Sequence, residues 1–292
     1  MYAIVAIARV SNPIDTGSPK EFHKGVCLEG ASMKVRYLLS MIAFAAAVIA
    51  PQVFARPAGK ETKVMVRVLA RDAKLIGKSV GGARVTIKDA TTGQVLAQGM
   101  EQDGTGETAL IIEKPRVRGE KVYDTPGASG FLAVLNLERP TVVEVIAEGP
   151  LGSPQATQRS SKTLLLVPGE DVLGDGIILE IHGFIVKALA PQSSAKVSGG
   201  SPFEVRATVN MACGCPTEPD GHWDSNKFRV VARLVREGNI EAEIPMHYAG
   251  VQNTYTGSAP TVAPGQIELQ VLAMDPVNAN FGLTREDLTI IP

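Results

Sequence analysis

Past residue 60 the apolar positions fall into short runs. Residues 63–69 (KVMVRVL) alternate apolar and polar with a period of two. That spacing lays one side of a half-buried strand on a core. Residues 84–88 (RVTIK) and 94–98 (QVLAQ) flank Asp89-Ala90-Thr91-Thr92-Gly93, which predicts a hairpin turn with Gly93 at positive φ. Further strands are predicted at 108–113 (TALIIE), 131–137 (FLAVLNL), 142–147 (VVEVIA), 163–167 (TLLLV) and over the long run 177–189 (IILEIHGFIVKAL). No helix-length segment with a 3.6-residue period separates them. Strands recurring about every ten to fifteen residues without such helices point to antiparallel sandwiches.

A Pro/Ser/Gly stretch at 191–201 (PQSSAKVSGGS) has no apolar period and is read as a linker. Beyond it, Phe203, Val205, Ala207 and Val209 share one face. Residues 228–235, 241–248, 266–273 and 287–291 complete a second set, with Ile267, Leu269, Val271 and Ala273 on one side. The predicted fold class is all-β: two antiparallel β-sandwich domains in series, over 56–190 and 202–292.

A different pattern precedes these strands. Met33 is followed by Lys34 and Arg36, then an apolar run over 37–50, then Val53-Phe54-Ala55 ahead of Arg56-Pro57. A basic head, a short apolar core and short side chains at −3 and −1 are what signal peptidase reads. Even counted to Ala55, the core is at the short limit for a membrane span, which needs roughly 20 apolar residues. Residues 33–55 are therefore read as a signal peptide. Residues 1–32, with Pro13, Gly17 and Pro19 and no amphipathic period, are read as an upstream extension before a start at Met33. A periplasmic or secreted protein is expected.

Composition removes some function classes. The formal charge of −1 becomes −3 once five basic and three acidic leader side chains are removed. That balance, with no basic cluster interleaved with aromatics, argues against nucleic acid as a partner. No cysteine follows the signal core to accept a lipid, and no apolar segment near the C-terminus would anchor the chain. Aromatics are only 5%, so Val, Ile, Leu and Ala must fill the core. Two cysteines beyond the leader are too few for a disulfide framework.

Two stretches carry family resemblances. Gly82-Ala83-Arg84-Val85-Thr86-Ile87, then Asp89, Thr92-Gly93 and Asp103-Gly104-Thr105-Gly106, resemble the transthyretin-like or carboxypeptidase-regulatory-like sandwich, except for the long segment 114–130. Pro264-Gly265-Gln266-Ile267-Glu268-Leu269-Gln270-Val271, followed by Ala273, Asp275, Asn278 and Asn280, resembles the closing strands of bacterial immunoglobulin-like domains. Such families mostly supply spacers, adhesive modules and accessory domains, and the resemblance implies no reaction.

Reactive residue types crowd in one place, 211–224 (MACGCPTEPDGHWD). Cys213 and Cys215 flank Gly214, Met211 precedes them and His222 follows; Met246-His247 is a further contributor if strands bring it near. Soft sulfur ligands with an imidazole suit copper or zinc, which makes Cys213, Cys215, His222, Met211 and His247 a candidate metal set. Competing readings are a Cys213–Cys215 disulfide closed by a turn at Gly214, a plain surface loop, and an intermolecular disulfide. Trp223 reads as a plug over the sandwich end, and His182 as a core or sheet-face histidine. Asp220, His222 and Asp224 lack a recognisable nucleophile. Asp103, Asp171 and Asp175 read as turn residues rather than Ca²⁺ ligands, and Gly77-Lys78-Ser79 lacks the earlier glycine of a phosphate loop. The expected function is a non-enzymatic binding or structural module for a protein or glycan partner, with no cofactor. The alternative is a periplasmic copper- or zinc-binding protein.

Overall fold

The computed structural model describes residues 58–292; the predicted upstream extension and signal peptide lie outside the described residues. Seven strands form the first sandwich: β1 (Lys60–Ala70), β2 (Ala83–Asp89), β3 (Val95–Glu101), β4 (Phe131–Leu137), β5 (Thr141–Gly149), β6 (Gln158–Leu166) and β7 (Val172–Ile181). One sheet runs β4-β1-β7, with β1 antiparallel to β4 and parallel to β7. The other runs β3-β2-β5-β6 and is antiparallel throughout. The period-two alternation does its work here. Val64, Val66 and Val68 of β1 face Val85 and Ile87 of β2 and Val143, Val145 and Ala147 of β5 within one core. Each such buried Val or Ile contributes about 1.5–3 kcal/mol. The predicted 89–93 hairpin turn is present, with Gly93 at φ 74°.

The second sandwich uses β8 (Phe184–Ala190), β9 (Lys196–Ser198), β10 (Phe203–Met211), β11 (Arg229–Arg236), β12 (Asn239–Tyr248), β13 (Thr254–Ala259), β14 (Gly265–Asp275) and β15 (Asn280–Ile291). Hydrogen bonding links them in the order β8-β10-β13-β12-β11-β14-β15-β9. Between β12 and β13 only His247↔Thr256 and Tyr248↔Tyr255 are paired. The sheet folds over at that seam, so that β8 packs on β14 and β15. A layer β8-β10-β13 thus faces a layer β12-β11-β14-β15, an immunoglobulin-type sandwich. Val205, Ala207 and Val209 from one layer meet Leu269, Val271, Ala273 and Leu288 from the other.

Four sequence expectations change. Residues 108–113 form a helical turn, Ala109–Glu113, rather than a strand. A short apolar run does not distinguish the two by periodicity, and this one buries Ile111 among Leu69, Leu75, Val122 and Tyr123 off the main core. The long run 177–189 is two strands: β7 ends at Ile181, the chain turns at His182-Gly183, and β8 crosses to the second sandwich to pair with β10. The linker 191–201 holds β9, which pairs in parallel with β15. Strand β13 (TYTGSA) is not expected from the sequence, because Thr and Ser replace the apolar alternation. The described residues, 58–292, form a single compact unit.

Candidate functional site at the junction of the two sandwiches

Strand β10 delivers the chain into the 211–224 loop, and the loop begins with a closed turn. The Gly214 amide donates to the Met211 carbonyl at 2.7 Å and the Met211 amide to the Cys215 carbonyl at 3.0 Å. Gly214 sits at φ 79°, a left-handed conformation that a β-carbon disfavours. A β-carbon there would also lie 2.6 Å from Val80 Cγ1 of the first sandwich. The turn brings the Cα atoms of Cys213 and Cys215 to 5.3 Å, and the two are joined by a disulfide. Both are buried. Thr217, also buried, donates to the Val209 carbonyl at 2.6 Å and meets the Tyr255 hydroxyl at 2.9 Å.

The loop then crosses to the first sandwich. Trp223 is 8% exposed and its indole N–H donates to the Asp72 carbonyl at 2.9 Å. It plugs the joint between the sandwiches. His222 Nε2 reaches Glu113 Oε1 at 3.4 Å, both half exposed. Asp224 accepts from the amides of Asn226 at 2.9 Å and Asp220 at 3.1 Å, and these donors hold its pKa below the usual range. Its role is to cap the short 225–227 turn.

The β14–β15 hairpin adds a second strut. Asn278 Nδ2 donates both to Asp72 Oδ2 (3.1 Å) and to Asp275 Oδ2 (2.9 Å). Asn280 donates to the Arg71 carbonyl at 3.2 Å and accepts from the Gly183 amide at 2.8 Å. His182 contacts the Asn278 carbonyl at 3.1 Å and Glu180 at 3.4 Å; it is an exposed junction residue rather than a core histidine.

Of the candidate metal residues, Cys213, Cys215 and His222 line one cavity, and His247 lies apart on β12. Met211 is buried in the core, while His222 and His247 are exposed, His247 opposite Thr256 on β12. Neither sulfur of a disulfide is the thiolate that copper or zinc would take. Among the described residues no group of three His, Cys, Asp or Glu side chains is arranged to hold a metal.

Between the struts lies a cavity of about 310 Å³. Phe184, Met211, Phe228 and Trp223 supply its apolar wall, and Asp72, Asp224, Asp275 and Lys227 its charges. Burial and then the neighbouring Asp275 carboxylate push the Asp72 pKa up.

The first sandwich has its own buried polar centre. Glu101 ends β3 fully buried, accepting from the Val68 amide at 3.1 Å. Burial drives its pKa to about 8 against the pull of Val68, Ser129 and Arg67. Its Oε2, the Ser129 hydroxyl and Arg67 Nε have no hydrogen-bond partner of good geometry. Arg67 itself ties down the long 102–130 segment, through the Ser129 carbonyl at 2.6 Å and Asp124 at 2.9 Å. Asp175 holds the same segment by accepting from the amides of Val122, Tyr123 and Asp124. Burial works to raise the Asp175 pKa and these amides outweigh it, so the net shift is downward. Nothing in the sequence distinguishes Glu101, Arg67 and Asp72, whose partners are all distant along the chain. Asp275 and Asn278 stand out there only as part of a closing-strand pattern.

No protein-family model matches the chain, and no curated protein matches it. Solved structures of β-sandwich proteins are similar to it. The fibronectin(III)-like modules of Clostridium thermocellum CbhA are 13% identical over 82% of this chain and 91% of that one, at a TM-score of 0.26. The titin domains z1z2 in complex with telethonin are 13% identical over 82% and 98%, at 0.24. An engineered protein is 15% identical over 44% of this chain, which spans 24% of its length, at 0.29. At such scores no residue of one protein is matched to a role in another. The sandwich architecture stands on this chain's own strand pairing.

Proposed function

We propose that the chain works outside the cytoplasm as a binding or structural module for a protein or glycan partner, without a reaction of its own. One observation carries this reading. The 211–224 loop, where reactive residue types concentrate, is built as a joint: its cysteines bond each other, Trp223 is hydrogen-bonded across the junction, and Asp224 caps a turn. The joint fixes two sandwiches as one unit, and a fixed frame lowers the ordering cost of presenting loops and a cleft to a partner. Among the described residues no helix is long and apolar enough to cross a membrane.

The test is affinity capture from the producing cell's envelope and medium, with glycan-array binding in parallel. A specific, saturable partner is the expected result. Turnover of a substrate by the purified protein would overturn the reading. Stoichiometric copper or zinc retained through Cys213 and Cys215 would replace it with the metal-binding alternative.

A further inference from the structure

A sheet face in water normally carries polar outward side chains. On the layer β12-β11-β14-β15 one row does so and the next does not. Glu243, Arg233, Gln270 and Arg285 stand side by side across the four strands. Two residues along, the same register sets Pro245, Val231, Leu272 and Leu283 in line. Neighbouring strands lie about 4.8 Å apart, so this apolar row is roughly 14 Å long. Met274 and Phe281 pair beside it and widen it to a band, with Phe281 54% exposed. None of these six side chains belongs to a core cluster. The band contributes to neither interior and leaves apolar surface in water.

Unpaired cations bracket it. Arg229 lies on β11 in the row of Met274 and Phe281, its guanidinium 4.0 Å from the Met274 sulfur. At the far end Leu283 opens into a cavity of about 540 Å³ whose wall includes Lys187. Glu286 of that wall accepts from the Ser193 amide instead. Arg233 and Arg285 are paired with Glu243 and Glu268, whereas neither Arg229 nor Lys187 has a carboxylate partner among the described residues. Phe, Met and Arg together, with acidic groups kept off the centre, are the composition of protein–protein contacts.

We infer that this face docks a segment of a partner protein whose apolar residues are flanked by Asp or Glu. The inference rests on the binding-module reading and names the class of its partner. Apolar side chains of the segment cover Leu272, Leu283 and Phe281, and its carboxylates meet Arg229 and Lys187. An Arg–carboxylate contact of this kind fixes register as well as adding energy. A glycan is the poorer fit, since its hydroxyls need hydrogen-bond partners and the six band side chains supply none.

The purified protein is titrated, by fluorescence anisotropy, into short labelled peptides carrying Leu and Phe between Glu residues. Controls are the same peptides with Lys for Glu or Ser for Leu and Phe, neutral oligosaccharides, and phosphatidylglycerol vesicles. Saturable binding of the acidic apolar peptides is expected, weakening as salt rises. Arg229→Glu weakens it about tenfold and admits the Lys peptides in their place, while Phe281→Ser weakens it about tenfold with the charge preference kept. A reversed preference separates a contact from damage to the fold. Val251→Ser, at an exposed apolar position on the β12–β13 loop, leaves binding unchanged. Equal binding of acidic and basic peptides, preference for oligosaccharide or vesicle, or no binding up to ~1 mM overturns the inference. Dimerisation abolished by Phe281→Ser would put a second copy on this face and overturn it too. A partner captured from the cell envelope equally well by Phe281→Ser and by the unaltered protein also overturns it, yet leaves the binding-module reading in place.

Discussion

Glu101 is the residue at which burial and charge conflict most. Its carboxyl is raised from about 4.5 in an unfolded chain to about 8. Between those values the folded protein holds a proton that the unfolded chain has released. Stability must therefore fall as pH rises through this window and level off above it, by on the order of 5 kcal/mol in total. Urea midpoints from pH 5 to 8.5 should show that slope, and Glu101→Gln should flatten it and be the more stable form at the alkaline end. An unchanged slope in the variant would show that Glu101 titrates normally. Asp175 has the opposite sign: its depressed pKa contributes stability that is lost only as pH falls through that lowered value. Nothing in the run Met100-Glu101-Gln102-Asp103-Gly104 marks the glutamate as buried, because it reads as the polar end of a strand. Its environment is made by β1 and by residues around Ser129, brought together only by the fold.

Elements were legible wherever apolar alternation was clean. The faces predicted for β10 and β14 are the buried faces, since each alternate residue points to the same side. Legibility failed where one apolar run served two sheets, at His182-Gly183, and where a strand was polar, at β13. The 211–215 turn is an intermediate case. Its spacing allowed either a disulfide or a metal, and the Gly214 conformation is what brings the two cysteines together. Closing so short a loop restrains the unfolded chain little, about 1.5 kcal/mol. Cys213→Ser/Cys215→Ser should thus fold with the same circular dichroism and melt only a few degrees lower. Loss of the folded state would mean the bridge holds up the whole junction. Intact mass with and without alkylation checks that the wild-type pair is oxidised. Trp223→Phe keeps the plug but loses the N–H to Asp72, and is expected to cost about 1 kcal/mol.

The largest gap between sequence and structure concerns where one sandwich ends. Composition places the boundary at 191–201, a Pro/Ser/Gly stretch with no apolar period. The fold places β8 before that stretch in the second sandwich, because β10 needs a neighbour along its outer edge. Phe184, Ile185 and Val186 are buried there, with Phe184 against Phe228. At about 1.5–3 kcal/mol for each buried side chain, losing this strand removes an amount comparable to the whole stability of a typical domain, about 5–15 kcal/mol. A fragment cut at the compositional boundary, residues 191–292, should therefore fail to fold, with poor amide dispersion in its NMR spectrum. A fragment of residues 182–292 keeps β8 and the Gly183 amide that bonds Asn280, and should give the dispersed spectrum of a folded β protein. It should still be less stable than the same sandwich in the full chain, because Trp223, Asn278 and His222 lose Asp72 and Glu113. If residues 191–292 folded alone as well as the longer fragment, β8 would be an accessory strand. The two sandwiches would then be separable along the line that composition drew.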